Sequence, residues 1–160
     1  MKEFQNIPNE LVTDTKGREH WISPSISTDA IVIVEGRVLV TKRSAEPEVT
    51  NPLRWCLPCG YMDWNETPLN ACIRELYEET GVDVRELAIM NCDFERPNQL
   101  HGHTALQFIF ELPTFPKVEL NSKECERYRW ISLKELPYYD WAFHHDILIE
   151  KIMTNRNLLR

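Results

Sequence analysis

No stretch of this chain is apolar for long enough to cross a membrane, which takes about 20 residues. Basic charge is not in excess: 18 Lys and Arg face 25 Asp and Glu, a formal net charge of −7. A broad nucleic-acid or membrane surface needs a positive field, so neither partner is expected. The N-terminus, MKEFQNIPNE, lacks the apolar core of a signal peptide. The five cysteines are odd in number, which predicts free thiols in a reducing cytoplasm. Cys56-Leu57-Pro58-Cys59 has no second CxxC to complete a zinc site. It is followed by a loop and not by the helix a redox CxxC would open. Internal repeats and low-complexity tracts are absent. At 160 residues the prior is one domain. We read it over 29–160, with a polar segment over 1–28 packed on it or extending it.

A hydrophobic fraction of 42% is enough to fill a core at this length. Ala30 to Val34 is a β-branched run, Glu35-Gly36 a turn, and Val38 to Val40 a resumed run, which predicts a hairpin. Trp55 to Leu57 reads as a short strand and Pro58 onward as a loop. Residues 82–95 carry strand material, and Pro97-Asn98 is expected to begin a loop. Thr104 to Leu112 and Arg127 to Ile131 read as strands. Asp140 is expected to open a terminal helix with Trp141, Leu148 and Ile152 on one side. Strands around a central helix, followed by a terminal helix, predict an α/β sandwich with a mixed sheet.

The central helix runs from Pro68 to Thr80. Thr67 is suited to cap it, Pro68 to its first position, and Gly81 to its stop. Leu69, Cys72, Ile73 and Leu76 form its apolar stripe. The stretch IRELYEET then places Glu75, Glu78 and Glu79 on one face. The Glu75–Glu79 pair costs about 0.2–0.5 kcal/mol by like-charge repulsion. Glu78 and Glu79 also sit in the last turn, where the helix dipole prefers cations by about 0.3–1 kcal/mol each. Arg74 can offset part of this through Glu78. A divalent cation would reverse both costs, and this points to a metal site.

Gly60 to Val82 fits glycine, five residues, glutamate, seven residues, then REUxEExGU, where U is bulky and apolar. Nine constrained positions in 23 residues match: Gly60, Glu66, Arg74, Glu75, Leu76, Glu78, Glu79, Gly81 and Val82. This resembles the Nudix box, and Trp55-Cys56-Leu57-Pro58 resembles the run that leads into it. The chain is similar to Nudix hydrolases, more weakly, over 30–153.

The resemblance implies a Nudix-type α/β/α sandwich with a mixed sheet. It implies hydrolysis of a pyrophosphate bond in a nucleoside diphosphate linked to another moiety, with Mg²⁺ or Mn²⁺. Glu78 and Glu79 would be metal ligands, Glu75 a ligand or the general base, and Arg74 its orienting partner. Glu66 would bind metal directly or through water, and Glu124 would add a carboxylate from a distant loop. Cys59 stands where the family usually has glycine; its backbone carbonyl can still bind metal, although a side chain narrows its φ and ψ.

For the substrate, Pro97 falls 15 residues after Val82, similar to ADP-ribose pyrophosphatases, and 96–104 resembles their loop apart from Gln99-Leu100-His101. ADP-ribose or a related ADP-sugar, giving AMP and a sugar phosphate, is therefore the first reading. Arg43, Arg54 and Arg96 are candidate phosphate contacts. Trp21, Tyr61 and Trp64 are candidate base stackers, and His101 and His103 candidate acids or bases. The alternatives are a MutT-like nucleoside triphosphatase releasing pyrophosphate, a cap-removing or dinucleoside-polyphosphate enzyme, and a non-catalytic nucleotide-sensing module. The last would need a DNA-binding partner domain, and 1–28 shows no helix-turn-helix pattern. Family analogy suggests a homodimer.

Overall fold

The computed structural model of the protein describes residues 10–22, 25–63, 66–84, 89–98 and 101–158, with the backbone alone at 10, 21–22, 89–98, 101–103 and 156–158. Strands β1 (Glu10–Thr13) and β2 (Glu19–Ile22) form a separate hairpin. Its turn is closed by Asp14, whose Oδ1 accepts the Lys16 and Arg18 amides at 2.8 and 2.9 Å.

The main sheet has seven strands. Its axis is β3 (Ser25–Val34), which continues through the Glu35-Gly36 turn into antiparallel β4 (Arg37–Arg43). Both turn residues have positive φ, 48° and 73°, the twist that suits a two-residue hairpin. β5 is Trp55–Cys56 and β6 is Cys59–Tyr61. β7 is Ile89–Asn98, β8 is His101–Glu111 and β9 is Cys125–Ile131. β8 lies parallel to β3 and antiparallel to β7, while β4 pairs with both β5 and β9. β3 and β4 pair only at their joined ends; lower down β3 turns to β6 instead. The sheet is thus splayed beside Asp29, and the Leu57–Cys59 turn fills the opening.

Both faces of the sheet are covered, which explains the unbroken apolar run in β3. Ala30, Val32, Leu39, Phe108 and Phe110 pack against Cys72 and Leu76 of α1 (Pro68–Thr80). Ile31, Ile33, Val38, Val40 and Ile109 pack against Leu148, Ile149 and Ile152 of α2 (His145–Leu158). The α/β/α sandwich with a mixed sheet is therefore the observed architecture. No helix among the described residues is long and apolar enough to cross a membrane.

The predicted span of α1 is the observed one. Thr67 Oγ1 accepts the Asn70 amide at 3.2 Å, and Gly81 stops the helix at φ 67° with its amide on Tyr77 O at 2.7 Å. The carbonyls of Glu79 and Thr80 accept the amides of Asn121 and Glu119 at 3.0 and 2.7 Å. A distant loop is thereby tied to the end of the glutamate helix.

Four local expectations are corrected. Pro97-Asn98 does not begin a loop: β7 runs to Asn98, and the ladder shifts register between Glu95 and Asn98. A bulge of this kind is where a strand can hold a proline, which has no amide to donate. Residues 59–61 are a strand and not a loop, because β3 offers them the edge that β4 leaves. Residues 82–84 form no strand; Val82 and Val84 instead close the core under α1. Asp140 does not open α2. The Asp140 carbonyl accepts the Trp55 amide at 2.8 Å and the Ala142 amide reaches Trp55 O at 2.8 Å, so 140–142 lie along β5 and the helix waits until His145. A 3₁₀-helix at Leu133–Tyr138 precedes this crossing.

Candidate active site

The glutamates of α1 share a side of the helix but not an environment. Glu79 is 3% exposed, whereas the side chains of Glu75 and Glu78 are 15% and 51% exposed. Glu79 therefore does not face solvent, although helix spacing puts it on one face with Glu75 and Glu78. α1 lies flat on the sheet, and position 79 falls on the edge of its buried stripe, beside Leu76 and Thr80.

Arg74 gathers the other carboxylates. Its Nη1 donates to Glu75 Oε1 at 2.7 Å and to Glu78 Oε2 at 3.0 Å. Nη2 donates to Glu66 Oε1 at 2.6 Å and to the Tyr61 carbonyl at 3.0 Å, and Nε reaches Glu66 Oε2 at 3.2 Å. The bond to Glu66, and then those to Glu75 and Glu78, hold the guanidinium's pKa above its ordinary value. The same contact holds the Glu66 carboxyl below its usual range, helped by the Asp63 amide. Burial pushes Glu75 up, and Arg74 opposes that.

Gly60 lies directly against this cluster. A Cβ at that position would overlap the Glu75 carboxylate. Glycine is needed here for close approach, since its backbone φ is not positive. Gly60→Ala should lower kcat by roughly 10²-fold, the cost of misplacing a reacting group. The melting temperature should stay within a few degrees, because what must yield is the tip of a flexible side chain. Steady-state kinetics beside a thermal melt would check both halves of this expectation.

Glu79 is enclosed by donors from three strands. Its Oε1 accepts the Cys59 amide at 3.2 Å. Its Oε2 faces Thr41 Oγ1 at 3.5 Å and Cys125 Sγ at 3.4 Å. Burial, and then the charge of nearby Cys56, push its pKa well above the usual carboxylate range. The Cys56 thiol is drawn down to about 6, first by the hydrogen bond from Cys59 and against its own burial.

Glu124 stands in the turn before β9, held by Asn121 Nδ2 at 2.9 Å, and its charge bears on both Glu75 and Glu79. The sheet and the 119–121 tether thus bring Glu66, Arg74, Glu75, Glu78, Glu79, Cys59 and Glu124 into one region. Cys59 does not adopt positive φ, so its side chain is accommodated without strain.

The arginines separate. Arg43 ends β4 within electrostatic reach of Cys56, Cys59 and Glu79, which together outweigh the effect of its burial and keep it charged. Its Nε donates to Thr50 O at 2.6 Å, and its guanidinium lies 5.3 Å from the Phe143 ring centre. Arg54 pairs with Asp140 at 3.4 Å, on the β5 crossing. The side chains of Arg96, Pro97, Trp21, His101 and His103, and all of Trp64, lie outside the described residues. Tyr61 is 58% exposed.

Sequence reasoning missed Thr41, Cys125 and Tyr128. Tyr128 is the ladder partner of Thr41, so it shares the α1 face, and it is 42% exposed. Strand pairing alone reveals that neighbourhood.

Asp29, Cys59 and His145 offer ligand atoms within 4.8 Å of one another. They do not read as a zinc centre. His145 Nδ1 already accepts the Leu57 amide at 2.9 Å, so the proton sits on Nε2, where a cation would have to bind.

The NUDIX domain model matches residues 24–152. The chain is 30% identical to the RNA pyrophosphohydrolase of Bartonella tribocorum, over 79% of this chain and 86% of that protein. It is 27% identical to the ADP-ribose pyrophosphatase of Methanocaldococcus jannaschii, over 90% of this chain and 82% of that one. In fold it is similar to the NUDIX domain of Shewanella oneidensis NrtR complexed with ADP ribose, at TM-score 0.68 and 19% identity, covering 91% and 93% of the two chains. Family model, relatives and carboxylate-lined helix agree: the chain belongs to the NUDIX family and is a pyrophosphohydrolase.

Proposed function

We propose that the protein hydrolyses the pyrophosphate bond of a nucleoside diphosphate joined to a second group, with ADP-ribose or a related ADP-sugar as substrate, giving AMP and a sugar phosphate. The observation that carries the reading is the α1 carboxylate cluster, with three glutamates on one guanidinium and a fourth buried beside them. Such a donor set is all oxygen, which suits Mg²⁺ or Mn²⁺. Glu75, Glu78 and Glu79 would hold the ion, with Glu66, Glu124 and the Cys59 carbonyl around them. When bound, the cation supplies activation of water and neutralisation of phosphate charge.

The chain's own residues supply orientation. Arg74 fixes Glu75, against Gly60, as the general-base candidate. Glu79, with its raised pKa, is the other catalytic carboxylate. Arg43 stays charged within reach of Glu79 and is the phosphate contact we favour; Arg54, engaged by Asp140, is the weaker one. Arg96 and Pro97 remain substrate-binding proposals by family resemblance alone. The relative named for ADP-ribose supports the substrate class.

A second reading follows from the relatives named RNA pyrophosphohydrolase. The net charge of −7 opposes a long polyanion.

A product panel with Mg²⁺ separates the readings: ADP-ribose, other nucleotide sugars, 5′-triphosphorylated RNA, and NTPs and dNTPs. AMP with ribose 5-phosphate, formed from ADP-ribose in preference to the rest, is the expected result. Pyrophosphate released from RNA ends or from free triphosphates would replace the substrate and keep the site. Binding of ADP-ribose without turnover would turn the reading to a sensing module.

A further inference from the structure

His145 is buried, at 2% exposure, and opens α2 on the face of the sheet opposite α1. Its Nδ1 accepts the Leu57 amide at 2.9 Å. A nitrogen that accepts carries no proton, so the neutral ring is the Nε2–H tautomer. Nε2 faces Asp29 Oδ1 at 3.6 Å. Asp29 Oδ2 accepts from Gln107 Nε2 at 3.0 Å. Asp29 is 4% exposed and Gln107 1%. Asp29 is also the ladder partner of both Cys59 and Gln107, so the group sits in register where β3 and β4 part.

The turn that fills the splay is held in three directions. The Leu57 amide goes to His145 on the α2 face. The Pro58 carbonyl accepts the Ala30 amide at 2.8 Å. The Cys59 amide goes through to Glu79 on the α1 face. An apolar residue at 145 would leave the Leu57 amide buried without that acceptor, and the turn would be free to move.

We propose that His145 is a positioning residue for the pyrophosphohydrolase site. It fixes the Leu57–Cys59 turn from the far face of the sheet, and the turn sets the Cys59 amide on Glu79. The Leu57 amide sets the ring's tautomer, and Asp29, itself bonded by Gln107, faces the Nε2–H that results. The inference rests on the reading of Glu79 as a working carboxylate.

The test compares His145→Asn with His145→Gln. Asparagine places Oδ1 where Nδ1 stands and keeps the acceptor; glutamine places its polar group one atom further out and loses it. His145→Gln should lower kcat by roughly 10–100-fold, the usual cost of losing a group that orients a ligand. KM should stay within about two-fold, and His145→Asn should recover most of the rate. The Cys59 amide cross-peak in a ¹H–¹⁵N spectrum should move in His145→Gln and stay in His145→Asn. An unmoved Cys59 amide in His145→Gln overturns the proposal whatever the kinetics. So does an asparagine variant as slow as the glutamine one. A moved amide in a protein whose Glu79→Gln variant keeps full turnover would uphold the link through the turn and overturn the role of Glu79 alone. If His145→Gln does not fold, Asp29→Asn reads the same coupling from behind the ring: a shifted Cys59 amide with reduced kcat supports it, and an unshifted one overturns it.

Discussion

Glu79→Gln should abolish most turnover while making the metal-free protein more stable at neutral and alkaline pH. The activity loss is expected at roughly 10²-fold or more, the scale of misplacing a reacting group when one of the ion's ligands is lost. The stability gain follows from burial. Glu79 is 3% exposed, and burial first, then Cys56, raise its pKa well above the ordinary 4.5 of a glutamate. A raised carboxyl binds its proton more tightly folded than unfolded. Its contribution to stability is therefore complete below about pH 4.5 and is lost as pH rises through the folded value. Glutamine has no such loss. Its Oε1 can keep the Cys59 amide, and its amide can turn to Thr41 Oγ1. At pH 8 without metal the variant should therefore melt at a higher temperature than the wild type. The two proteins should converge near pH 4.5. Melts across pH in chelator, with turnover in Mg²⁺, read both effects. A variant that melts lower at pH 8 would remove the buried-carboxylate argument, and one with full activity would remove the catalytic one.

Arg74→Lys is the second large effect, although it conserves charge. The guanidinium reaches Glu66, Glu75, Glu78 and the Tyr61 carbonyl together, and its two terminal nitrogens serve different carboxylates. A lysine ammonium is a point donor and cannot span them. Glu75 and Glu78 would then repel across one turn with nothing fixed between them. The expected loss in kcat/KM is roughly 10²-fold, the scale of misplacing a reacting group. The Mg²⁺ concentration for half-maximal rate should change as well, because the carboxylates lose their arrangement and not only their charge balance. The Glu66 carboxyl, held low mainly by Arg74, contributes stability above its ordinary pKa and loses it as pH falls. The variant should show a weaker acid dependence of Tm on that account. Wild-type turnover in Arg74→Lys would show that charge alone matters at this position.

What was legible in the sequence was local. The helix over Pro68–Thr80 was readable because its cap, first-position proline and stop are neighbours in the chain. The glutamates were readable because their spacing puts like charges together at a helix end that disfavours them. The hairpin of β3 and β4, and the sandwich itself, followed from apolar runs and their order. Pro97 was misplaced because a proline is read as a loop unless the partner strand is known, and here β8 supplies a bulged ladder. The start of α2 was misplaced because Trp55, far away in the chain, captures 140–142 first.

The family, the glutamates and the arginine that collects them are thus legible in the order of residues along the chain. How the carboxylates differ is set by packing. Glu79 is buried and Glu78 exposed because α1 lies on the sheet, and no periodicity states how deeply a helix edge will sink. Thr41, Cys125 and Cys59 reach Glu79 because β4, β9 and β6 meet under it. Gly60 is fixed by a carboxylate 15 residues on, and His145 by an amide 88 residues back. Such contacts depend on which strands pair and in which register, a global balance of burial and hydrogen bonding that no short stretch of chain contains.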